Sequence, residues 1–158
     1  MTGPYSPYTG NPTVIAQLLL DKIEAAKNTF NPVVQATFYG DQDRIPVTPT
    51  VCVEPNTKTR TLEGAPNMTL NEYEIFLIVY HNKAQDNQLT RKEVDELAYQ
   101  IEFLLHQDLQ LANGGPTPNL IHGYVRSHES GYTYKANTLY RTARLTFYGK
   151  NKTSLPVA

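Results

Sequence analysis

The stretch that most constrains this chain is "TLNEYEIFLIVYHN", residues 69–82. Side chains of an extended strand alternate between faces, so Ile75, Leu77 and Val79 line one side and Phe76, Ile78 and Tyr80 the other. A strand apolar on both faces needs cover on both. The rest of the chain offers two amphipathic helices for that purpose. If both helices lie on one face, Phe76, Ile78 and Tyr80 are left to meet something else, such as a second copy of the chain. If the helices and a long loop take opposite faces, the strand is buried within the monomer. Loose ends and a long connection, both suited to contacts between subunits, favour assembly.

The helices are read from their periods. In "NPTVIAQLLLDKIEAAKN", Asn11 can cap and Pro12 can occupy the first helical position, where a missing N–H is harmless. Val14, Ile15, Leu18, Leu19, Ile23 and Ala26 then make one apolar stripe. In "LTRKEVDELAYQIEFLLHQDLQ", Thr90 and Glu93 have capping-box spacing, and the apolar face runs from Val94 through Leu97, Ile101 and Leu105 to Leu109. The glycines and prolines of "LANGGPTPN" end that helix. "PVVQATFYGD" and "TPTVCVEP" read as strands, the second bounded by Pro49 and Pro55, with Val51 and Val53 facing away from Thr50, Cys52 and Glu54. The connection 55–68, "PNTKTRTLEGAPNM", has no steady period, and its ends can prolong the flanking strands into a projecting hairpin. "IHGYVRSHESGYTY" and "TLYRTARLTFYGK" supply two more strands.

The order α-β-β-β-α-β-β predicts one α+β domain over 11–150, with a mainly antiparallel or mixed sheet and two helices. A flexible arm is expected at 1–10 and a loose tail at 151–158. With 158 residues, 40% apolar and 18% charged, the chain is long enough for a single core without staples. A formal net charge of −1 argues against a dedicated nucleic-acid-binding domain. One cysteine excludes an intrachain disulfide framework and a cysteine-rich zinc site. The first residues read as neither a signal peptide nor a membrane span, so a soluble protein of a reducing compartment is expected. Eleven tyrosines and no tryptophan suit both strands and contact surfaces.

The chemical motifs divide into two readings. Asp41 and Asp43, in "YGDQD", have D-x-D spacing and could begin a metal site, as in a small metal-dependent enzyme. Two carboxylates are an incomplete set for a hard cation, and the Gly/Asp composition also describes a turn. Cys52 sits between two valines of a strand, more like a buried small side chain than a nucleophile. His81, His106, His122 and His128 lack zinc spacing, although His122 and His128 would share a face of a regular strand. No phosphate-binding or nucleophile-elbow motif occurs, and no cofactor is expected.

"YGDQDRIPVTPTVCVEP", "KTRTLEGAPNMT" and "YEIFLIVYHNK" before a charged-start helix resemble the tail-terminator (tail-completion) proteins of tailed bacteriophages, over about residues 11–150. The resemblance implies a structural virion protein assembled in the host cytoplasm: a closed ring, usually sixfold, at the tail–neck junction. It implies contacts with the tail tube protein, with the head-side connector or stopper protein and, in a contractile tail, with a sheath-type neighbour. DNA passes through the lumen without specific binding, no membrane is involved, and no catalytic residues carry over. A head-completion or stopper ring of the same neck is the neighbouring alternative. By that analogy the 54–68 connection reaches a neighbour, with Lys58, Arg60 and Glu63 as contact candidates. Arg44 and Glu54 flank it as possible interfacial charge pairs. Phe76, Ile78 and Tyr80 supply the strand-face part of the interface.

Overall fold

A computed structural model describes residues 10–62, 68–82 and 87–154. Its elements are α1 (Pro12–Ala26), a 3-10 turn (Lys27–Thr29), β1 (Ala36–Tyr39), β2 (Thr50–Leu62), β3 (Met68–His81), α2 (Asn87–His106), β4 (His122–Lys135) and β5 (Thr138–Ser154). The predicted α-β-β-β-α-β-β order and α+β class are therefore what the chain adopts. The five strands form one mixed sheet in the order β1-β2-β3-β5-β4. Only the β1–β2 pairing is parallel; the others are antiparallel.

α1 begins as its sequence dictates, with the Asn11 side chain accepting the Thr13 amide at 2.9 Å and Pro12 in the first turn. Ile15, Leu19 and Ile23 are fully buried. α2 starts earlier than its capping-box spacing predicts. Thr90 lies inside the helix and is buried, and Glu93 reaches His81. Val94, Leu97, Ala98, Ile101 and Leu105 are buried as expected, but the helix stops at His106 and Leu109 is 47% exposed. Beyond it, Asp108 accepts the amides of Ala112 and Asn113 and holds Lys22 at 3.1 Å, fastening the α2 exit to α1.

Both helices pack on the same face of the sheet. A single core joins Ile15, Leu19 and Ile23 of α1 and Leu97, Ile101 and Leu105 of α2 to the inward residues of β2, β3 and β5. Val51, Leu77 and Leu145 represent those inward rows, one from each strand. Of the two arrangements open in the sequence, the chain takes the one that leaves the Phe76–Ile78–Tyr80 face without a helix. On the helix side, Gly123 and Gly149 are directly paired, and a Cβ on Gly123 would lie 2.4 Å from the Phe147 ring and 2.7 Å from Leu120. The missing side chains make room for that packing.

The predicted hairpin forms and is longer than a hairpin. β2 runs through Pro55 by way of a bulge between Pro55 and Thr57, and pairs with β3 out to Leu62↔Thr69. β5 pairs with β3 out to Met68↔Ser154, so residues 151–154 are strand and not the loose tail expected for 151–158. The polar letters of "NKTS" hide a buried surface: Thr69, Asn71, Asn151 and Thr153 are all buried. The Asn71 amide donates to Asn151 at 3.0 Å and to Thr153 at 2.8 Å, and Tyr73 Oη donates to Asn151 at 3.1 Å. Each buried polar side chain thus has partners in the same cluster. The arm expected at 1–10 falls, apart from Gly10, outside the described residues; the Gly10 carbonyl accepts from Lys58.

Candidate functional site

The face opposite the helices is the candidate surface, and two different covers protect its two ends. At one end the loop from Gly40 to Pro49 crosses from β1 to β2 over the sheet. Gly40 takes φ +82 to start that turn, a conformation that favours glycine. Ile45 packs with Cys52, Tyr80 and Tyr140 as a second small core, with Phe38 and Ile78 at its edge. Tyr80 and Tyr140 meet edge to face, centroids 6.2 Å apart.

The D-x-D motif belongs to this cover. Asp41 accepts a 2.5 Å bond from Tyr80 Oη, a 3.0 Å bond from Lys135 Nζ and a 3.1 Å bond from the Gln42 amide. Partial burial pushes its carboxyl up, but the Tyr80 and Lys135 bonds outweigh that and hold it below its ordinary value. The same burial, with the Asp41 carboxylate beside it, pushes the Tyr80 phenol far up. Asp43 stands exposed. Among the described residues no three His, Cys, Asp or Glu side chains gather as they would around a cation. Cys52 is fully buried, and desolvation pushes its thiol up to about 12.

At the other end, charged and aromatic side chains cover the sheet themselves. The Arg144 guanidinium lies 4.5 Å from the Phe76 ring centroid and donates to Glu129 at 2.7 Å. Arg126 sits 5.4 Å over the Tyr148 ring and 3.8 Å from Glu74. Tyr148 Oη donates to Glu72 at 2.7 Å, and Asn56 reaches Glu74 at 2.9 Å. The result is a lattice of alternating charge over aromatic rings, not a bare apolar patch.

Tyr80 is 3% exposed, and its hydroxyl is engaged within the chain; Phe76 and Ile78 are half-buried, Phe76 beneath Arg144. Glu54 is half-buried on the open face of β2, and Arg44 is exposed in the loop. Lys58 and Arg60 lie on the helix face of the extension, because the bulge after Pro55 shifts the register. Arg60 Nε is 3.4 Å from Asn71 Oδ1. Burial and the neighbouring Arg60 charge hold the Lys58 ammonium below the ordinary lysine range. Glu63 lies outside the described residues.

The histidines do not converge. His81 Nε2 is 2.5 Å from Glu93, His106 Nε2 accepts the Val125 amide at 3.0 Å, and His128 is 3.7 Å from Asp95. A bulge between Val125 and Ser127 puts His122 and His128 on opposite faces. Arg126, Glu129, Arg144 and Tyr148 are the surface residues that sequence reasoning missed. The period-2 pattern of "RTARLTFYGK" carried the signal, since Arg144 and Tyr148 alternate with the buried Ala143, Leu145 and Phe147.

No helix among the described residues is long and apolar enough to cross a membrane. No protein-family model matches this chain, and no curated protein matches it.

Proposed function

We propose that this chain is a structural subunit of a tailed-phage neck, a tail terminator that closes into a ring on the end of the tail tube and leaves a channel for DNA. The reading starts from the resemblance of "YGDQDRIPVTPTVCVEP" and "KTRTLEGAPNMT" to that family. The observation that carries it furthest is the three-stranded extension of β2, β3 and β5. It reaches past both edge strands, and from Met68 to Tyr73 β3 contributes only Tyr73 to the central core. Beyond Val53 the outer margin of β2 in that projection has no strand partner among the described residues, which suits contact with a neighbour.

The chemistry of the surface agrees with this role. Asp41, Tyr80 and Cys52 are bound up in holding a loop to the sheet. The lattice of Arg126, Arg144, Glu74 and Glu129 offers balanced charge, which suits a wall that DNA slides past. Family likeness at the level of element order does not separate a terminator from a stopper ring. The test is to add the full chain to tail tubes of the phage that encodes it. Binding at one tube end, with elongation halted, is the expected result. A chain that never associates with tubes or connectors overturns the proposal.

A further inference from the structure

The sheet ends in two bare backbone margins, and the structure shows which amides they present. β1 pairs only with Thr50–Val53 before Gly40 turns the chain away, so among the described residues nothing pairs with the outer edge of β2 over 54–62. On the opposite margin, the Gly123 amide bonds to the Leu109 carbonyl and the Val125 amide to His106, after which, among the described residues, nothing pairs with β4 over 127–135. The two bare stretches have the same length. Because Gly123 and Val125 point outward, the alternation across the registered rows makes His128, Ser130, Tyr132 and Tyr134 point outward on β4. The same rows make Lys58, Arg60 and Leu62 point outward on β2.

Strand directions alternate from β2 through β3 and β5 to β4. A like-oriented second copy therefore brings its β4 beside β2 in antiparallel sense, the pairing these bare edges accept most readily. The side chains on the shared face are compatible. Lys58 and Arg60 would face Tyr132 and Tyr134, which are 56% and 73% exposed, and Arg141 already stacks 3.8 Å from the Tyr132 ring.

We infer that copies of this chain join head to tail by pairing β2 (54–62) of one with β4 (127–135) of the next. This inference rests on the ring reading above and names the contact that closes it. A contact between two different patches generates a ring when its rotation closes.

The test uses the buried Cys52 as a silent background. Arg60→Cys and Tyr132→Cys, opposite one another in that pairing, are made singly and together in the full chain. Each is treated with a short bis-maleimide at tube-end or high free concentration, while the mass of the untreated assembly is read in parallel. The expected result is a covalent ladder, ending at the ring's copy number, in the double variant and no cross-link in either single one. Cross-linked dimers from a single variant mean like-with-like edges and overturn the inference. A ring by mass without the ladder overturns it too, yet leaves the ring reading standing. Monomer throughout overturns both.

Discussion

Asp41 and Tyr80 show how residue types common in active sites come to serve a fold. The Asp41 carboxylate is 38% exposed, and it still draws a phenol, an ammonium and an amide to itself, which pins the loop that shields Cys52 and Tyr140. Tyr80→Phe removes the phenol bond and is expected to cost about 1–2 kcal/mol in chemical denaturation. Asp43→Asn, at an exposed position, should change stability by less than about 0.5 kcal/mol. The sign of the pH effect follows from the lowered Asp41 pKa. Its contribution is fully present above the ordinary value of 3.8 and is lost as pH falls through the folded value. Asp41→Asn should therefore flatten the acid limb of a stability-against-pH curve; an unchanged limb would show that Asp41 does not hold the loop. Cys52, with its thiol pushed up to about 12, should react with a thiol reagent only as fast as the chain opens. Fast labelling of the native protein would contradict its place in the core.

At the scale of elements, the cross-strand pair Gly123–Gly149 carries the sharpest prediction. Gly123→Ala would drive a methyl into Phe147 and Leu120, and a loss of about 1–3 kcal/mol is expected in denaturant unfolding. A neutral result would mean that the β4–β5 face repacks freely. The elements themselves were largely legible in the sequence. The stripes of α1 and α2 and the two-faced β3 are strong periodic signals, and they land where the helices and central strand form. Boundaries failed for physical reasons. Pro55 reads as a stop, but proline needs only an edge where its missing N–H faces away from the partner strand, and β2 provides one. "NKTS" reads as tail because its burial is polar, with Asn151 and Thr153 satisfied by Asn71 and Thr69. Thr90 and Glu93 have capping-box spacing, yet the helix begins at Asn87, and Glu93 also meets His81. The cover over the open face was signalled only by Ile45, a lone apolar residue in a polar turn, and the register that joins it to Tyr80 and Tyr140 is a tertiary fact.

For the whole molecule, the arrangement amounts to a one-sided sandwich. Two helices seal one face, a loop and a charge lattice finish the other, and the extension of β2, β3 and β5 projects past the edge strands. The subunit has its own core, built from both helices and the inward rows of the sheet. In the proposed assembly, copies of this chain close into a ring. The most direct measurement is native mass spectrometry of the full chain across concentration, alone and with tail-tube ends. One closed species at a whole-number multiple of 17.8 kDa is expected, with no ladder of larger forms beyond it. A 17.8 kDa species and nothing heavier, in both samples, would contradict it.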